Sequence, residues 1–136
     1  MKVAFATEDL THVNAHFGWA KKIAVYEITA EDAVRTDVLE FGGALEEDGN
    51  EDKLEPKIEA ITDCAILYVS AIGGSGAARV VSRNIHPIRV PETETIAHQI
   101  ERLQVVLRGT PPPWLRKAIN KIQARDFDLD SEVLHG

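Results

Sequence analysis

With 136 residues, 44% of them hydrophobic, the chain is sized for one globular domain with its own core and little room for a second. Its 22 acidic residues against 15 basic ones leave a net charge of -7, which argues against a general affinity for nucleic acid or an anionic membrane surface, so any bound anion must be held locally. No stretch approaches the roughly 18 consecutive apolar residues of a membrane span, and Met1-Lys2 leads straight into strand-like sequence without a signal-peptide pattern, so a cytoplasmic protein is expected.

Val3 to Ala6 is a short apolar run that stops at Thr7-Glu8-Asp9, the pattern of a buried first strand opening into a loop. The loop carries HVNAHFGWA (12 to 20). Ile23, Val25, Tyr26 and Ile28 suggest a second strand, and Val34 to Phe41 a third, with Ala30-Glu31-Asp32 as the turn between them. Residues 42 to 53 are acidic and rich in glycine, which predicts an exposed mobile loop. Leu54, Ile58 and Ile61 recur at helical spacing behind Glu55-Pro56. Ala65 to Val69 is a continuous apolar run, the pattern of a central strand covered on both faces. Ile72-Gly73-Gly74-Ser75-Gly76 then feeds a predicted helix from about Ala77 to Arg83, followed by a short strand around Ile88 to Val90. Ile96, Ile100, Leu103 and Leu107 mark an amphipathic helix that stops at Gly109. PPPWLRKAI (111 to 119) is a proline brake before a further short helix, and from Asp126 the acidic tail is expected to fray. The predicted order β-β-β-α-β-α-β-α gives an α/β protein with a mixed sheet of about five strands flanked by helices. Residues 1 to 110 form the α/β domain, with 111 to 136 a helical extension and flexible tail.

Parallel crossovers in the second half place the Gly73-Gly74 turn at the carboxyl end of the strand Ala65 to Val69, where ligands gather in open α/β sheets. Gly74-Ser75-Gly76 gives G-x-G, but the third fingerprint position falls on Arg79, and no P-loop is present, so a nucleotide site has weak support. Glycines between strand and helix nevertheless leave backbone N–H groups exposed to an anion, to which Arg79 and Arg83, on one helix face, add positive charge. A tight turn with solvated arginines accounts for the same residues equally well. His12 and His16 are candidate ligands, although a loop histidine is more commonly a surface or packing residue. Phe17 and Trp19 read as core plugs. The single Cys64 excludes an internal disulfide and a CxxC zinc site, and beside Asp63 it reads more readily as a small buried hydrophobe than as a ligand. One thiolate cannot assemble an iron-sulfur cluster, so such a cluster, if bound, arrives already built.

The strand-one loop ending in His16-Phe17-Gly18, the segment DCAILYVSAIGGSGAARVV (63 to 81), His86-Pro87 and the tail PPPWLRKA (111 to 118) together resemble the dinitrogenase iron-molybdenum cofactor biosynthesis family over roughly residues 1 to 120. The resemblance implies a ribonuclease H-like fold without nuclease activity. It implies a carrier of a preformed iron-sulfur precursor of the iron-molybdenum cofactor, with the precursor-synthesising protein and the maturation scaffold as partners. It also implies that His16 is the metal ligand. Cys64, the amides of Gly73, Gly74 and Ser75, and the charges of Arg79 and Arg83 are the expected supporting contacts. Two other readings stand beside it. One is a metal-dependent nuclease, for which only Glu8, Asp9 and Asp37 offer carboxylates. The other is a regulatory or adaptor module of nitrogen fixation docking through Trp114 and Leu115.

Overall fold

The computed structural model describes residues 1–41 and 54–119. The acidic stretch 42–53, where a mobile loop was expected, and residues 120–136, which include the tail expected to fray from Asp126, lie outside the described residues. Five strands, β1 (Lys2–Thr7), β2 (Lys22–Ile28), β3 (Ala33–Glu40), β4 (Ile66–Val69) and β5 (His86–Arg89), form one sheet in the order β3-β2-β1-β4-β5. The first three are antiparallel neighbours, whereas β4 runs parallel to both β1 and β5. This is the ribonuclease H-like arrangement. Three helices flank it, α1 (Leu54–Ala60), α2 (Gly74–Ser82) and α3 (Ile96–Arg108), and residues 113–119 are also helical.

The period-two alternation of the strands divides the interior into two layers. Val3 and Phe5 of β1 and Ile66 and Tyr68 of β4 face Ile96, Ile100 and Leu103 of α3. Ala4, Ala6, Leu67 and Val69 face the other way, toward Ile58 of α1 and Val80 of α2. With both faces covered, β4 is buried throughout, as its unbroken apolar run predicts. The outer strand β3 is mostly exposed. It carries a bulge where Val25 pairs with Asp37 and Tyr26 with Arg35, leaving Thr36 to donate its hydroxyl to the Val25 carbonyl at 3.3 Å.

Two boundaries differ from the sequence expectation. Helix α2 begins at Gly74 and not Ala77, with Gly73 as an extended N-cap residue (φ -72°, ψ 160°) and the Ala77 N–H bonded to the Gly73 carbonyl at 2.9 Å. The reason is packing: a Cβ at Gly76 would stand 3.3 Å from Ile72 Cγ1 and 3.5 Å from Leu54 Cδ1, so the glycine lets the first turn settle against its neighbours. Strand β5 starts early, at His86, because Pro87 is tolerated on an edge strand.

The helical segment 113–119 closes the α3 side of the core. Leu115 is fully buried among Val3, Phe5 and their neighbours, and the Trp114 indole stacks on the His86 imidazole with ring centroids 4.2 Å apart and planes 13° from parallel. Burial holds the His86 imidazole below its ordinary pKa of 6.5. Its contribution to stability is therefore complete above that value and is lost as the pH falls through the lower folded value. Removing the covering indole in Trp114→Ala is expected to raise the His86 pKa toward 6.5, followed by NMR titration of the imidazole ring protons; an unchanged value would show that other groups supply the cover.

Candidate functional site

The chain leaves β1 through a loop knotted around one carboxylate. Asp9 accepts hydrogen bonds from the backbone N–H groups of Thr11 (2.9 Å) and His12 (2.8 Å) and contacts the His12 Nδ1 at 2.8 Å. These bonds, the His12 amide first, hold its carboxyl well below the usual carboxylate range. A few residues on, the chain rejoins the sheet. The Ser70 N–H donates to the Ala15 carbonyl at 3.1 Å and the Phe17 N–H to the Ala71 carbonyl at 2.9 Å, so His16 lies beside Ala71 in parallel register. Alternation then decides which way each residue faces. Ala15 and Phe17 enter the core, and His16 between them remains half-buried.

His16 borders a cleft of about 230 Å³ whose other walls are Phe17, Gly18, Trp19, Leu54, Ile72 and the start of α2 at Gly73, Ser75 and Gly76. None of these lining residues is acidic. The N–H groups of Gly74, Ser75 and Gly76 precede the first bond of α2, and no side chain of the described residues caps them. A Cβ at Gly73 or at Gly74 would meet no atom within 4 Å, so the absence of side chains there keeps space open instead of relieving a clash. The local macrodipole and the free amides favour an anion in that space.

A second layer fixes the His16 segment. Lys57 of α1 is buried, and its ammonium donates to the carbonyls of Phe17 (3.1 Å) and Gly18 (3.0 Å). The Gly18 N–H turns back to donate to His16 Nδ1 at 3.0 Å. Sequence reasoning missed Lys57, although a signal existed: it lies three residues after Leu54 and four before Ile61, on the apolar stripe of the helix.

Of the residues expected to act together, His16, Gly73 and Ser75 line this cleft, and Gly74 lies between the last two in the chain. Cys64 does not join them. It is fully buried before the first residue of β4, whereas the cleft lies beyond its last, roughly 20 Å away at the rise of an extended strand. Arg79 and Arg83 do share a helix face, but they clasp Glu55 of α1, at 2.6 Å to Oε2 and 2.8 Å to Oε1, and neither lines the cleft. The carboxylate was invisible to local spacing because it comes from another helix. Phe17 is the core plug anticipated, but Trp19 is 62% exposed at the cleft mouth. For the nuclease reading, no group of three or more His, Cys, Asp or Glu able to hold a metal ion occurs among the described residues. Asp9 is occupied within its own loop, and Asp37 stands on the far edge strand, two positions from β1.

A five-stranded ribonuclease H-like sheet with an imidazole and a glycine-rich helix start at the carboxyl ends of its adjacent parallel strands β1 and β4 defines the class of protein. Residues 1–105 match the family described as dinitrogenase iron-molybdenum cofactor, and the chain belongs to that family. It is 57% identical to the protein NifX of Herbaspirillum seropedicae over 133 residues, covering 98% of this chain and 91% of that protein. With NifX of Rhodobacter capsulatus it shares 43% over 136 residues, covering 97% and 86%. The crystal structure of PH0822 has the same fold, with a TM-score of 0.59 and 22% identity over 77% of this chain and 89% of that one. Membership ties the chain to iron-molybdenum cofactor biosynthesis. No helix among the described residues is long and apolar enough to cross a membrane.

Replacing Lys57 with methionine keeps most of the buried stem but leaves the carbonyls of Phe17 and Gly18 without this donor. The expected outcome is a loss of roughly 2 kcal/mol or more in urea unfolding, together with faster exchange of the Gly18 amide.

Proposed function

We propose that the chain is a non-catalytic carrier that binds a preformed iron-sulfur precursor of the iron-molybdenum cofactor, stores it and passes it to the maturation scaffold. The observation that carries this reading is the position of His16 across a non-acidic cleft from the open glycine-rich start of α2. An anionic metal-sulfur cargo fits such a place: amides and the helix dipole stabilise its charge, and the imidazole gives one directed contact. The burial of Cys64, the chain's sole cysteine, supports carriage over assembly. A cargo held without a thiolate exchanges readily onto an acceptor that offers several. The partners on this reading are the protein that synthesises the precursor and the scaffold that matures it, in the cytoplasm.

A regulatory or adaptor role is the second reading, favoured by one feature, the exposed indole of Trp19 at the cleft mouth. Aromatic side chains of this kind anchor protein contacts. The docking helix considered from sequence at Trp114 and Leu115 is less suited, because Leu115 is core and Trp114 covers His86.

Anaerobic titration of the apo-protein with isolated precursor cluster, followed by absorption spectroscopy, tests the carrier reading. The wild type and Cys64→Ala are expected to take up cluster equally, and His16→Ala about tenfold or more weakly. Gly73→Ala, which adds a methyl to the open cleft at an unstrained φ, is expected to weaken uptake while changing stability by no more than about 1 kcal/mol. Absence of uptake by the wild type would overturn the reading. Loss of partner capture in Trp19→Ala, with no uptake by the wild type, would favour the adaptor role.

A further inference from the structure

We infer that His16 meets its cargo as a hydrogen-bond donor, through Nε2–H to a sulfide or other anionic acceptor, and not as a ligand to iron; the inference rests on the carrier reading. It follows from the polarity of one short bond. The Gly18 N–H donates to His16 Nδ1 at 3.0 Å, and a backbone N–H has no capacity to accept. Nδ1 therefore presents its lone pair to Gly18, and in the neutral ring the proton belongs to Nε2.

A histidine that ligates a metal through Nε2 needs the opposite arrangement. Its proton sits on Nδ1 and is given to a carbonyl, a carboxylate or water, which orients the ring and raises its basicity. Here Nδ1 meets a donor. Ligation through Nε2 would have to turn the ring over, and ligation through Nδ1 would have to displace the Gly18 N–H. Either change leaves that N–H without its acceptor in a half-buried segment.

The donor that fixes the ring is itself fixed. Lys57 holds the carbonyls on both sides of the Gly18 nitrogen, those of Phe17 and Gly18, at 3.1 and 3.0 Å. The Phe17 N–H is committed to the Ala71 carbonyl at 2.9 Å. Steric contact acts in the same sense: a Cβ on Gly18 would lie 3.3 Å from His16 Cε1 and 3.4 Å from Nδ1, so the ring packs directly against this backbone. With Nε2–H on His16 and the unbonded amides at the start of α2, the residues around the cleft offer several hydrogen-bond donors and no carboxylate. The matching ligand is a cluster whose outer surface is sulfide, with its iron already saturated.

Two measurements test this. In apo-protein carrying ¹⁵N-labelled histidine, long-range ¹H–¹⁵N correlation is expected to show protonated Nε2 and bare Nδ1 for the neutral His16 ring; the Nδ1–H form would overturn the inference without any cargo present. The second is anaerobic uptake of the isolated precursor cluster by the wild type, His16→Gln, His16→Ala and His16→Cys. Glutamine restores an N–H donor and is expected to keep affinity near that of the wild type, whereas the alanine and cysteine variants lose about tenfold to a hundredfold. Pulsed EPR of loaded wild type in a paramagnetic state is expected to lack the strong nitrogen coupling of a directly bonded imidazole. Uptake accompanied by that coupling, or retained by cysteine and lost by glutamine, overturns the donor role and leaves the carrier reading standing. No uptake by the wild type removes both.

Discussion

Two backbone hydrogen bonds organise this molecule's candidate site: the Ser70 N–H to the Ala15 carbonyl and the Phe17 N–H to the Ala71 carbonyl. They extend the parallel ladder of the sheet past the end of β4 with three residues borrowed from the loop after β1. In that register the strand-like alternation assigns each residue its place. Ala15 and Phe17 are drawn inward and become part of the packing between the sheet and helices α1 and α2. His16, between them, must then stand at the rim beside Ala71, two residues ahead of the glycine that opens α2. The site is thus a consequence of sheet pairing, and the anchoring of Lys57 on the same segment reinforces a position the ladder has already chosen.

Much of the architecture was legible in the sequence because each strand has a distinct pattern. The unbroken apolar run at Ala65 to Val69 announces a centre covered on both sides, and the i, i+4, i+7 spacing from Ile96 to Leu103 announces α3. The site was legible only in part. His16 and the glycines were visible as chemistry-bearing residues next to strand ends, but periodicity does not report which loop lies beside which. That required the pairing of residues 15–17 with 70–71, a contact between chain positions more than fifty residues apart. Arg79 and Arg83 share a helix face as their spacing implies, but they pair with Glu55, which arrives from another helix and which local spacing does not reveal. Lys57 was overlooked for a different reason: a lysine on an apolar stripe invites the assumption that its ammonium escapes to solvent, and here two backbone carbonyls retain it. The tautomer of His16 is the least accessible property, because it depends on a single amide two residues away.

The burial of Cys64 and the character of the cleft complement each other. Thiolates grip iron strongly, and on the proposed carrier reading a protein that used one here would compete with its acceptors for the cluster. The only thiol of the chain is placed at the opposite end of β4 and sealed in the core, which leaves the cleft to weaker, directional contacts. On the same reading, retention would come from the sum of several donors and from charge, contacts that a partner can displace one after another.

The two arginines that clasp Glu55 tie together the two helices that border the cleft. Leu54 lines the cleft from α1; Ser75 and Gly76 line it from α2, and Gly73 from the N-cap of that helix. The Glu55 clasp fastens these helices to one another near the surface, with both guanidinium groups and the carboxylate about one-third exposed. Beneath them the helices are joined by apolar burial at Ile58 and Val80. Dissolved ions screen the first kind of fastening and scarcely touch the second. The ionic tie between the two helices therefore weakens as salt rises, while the apolar packing beneath it persists.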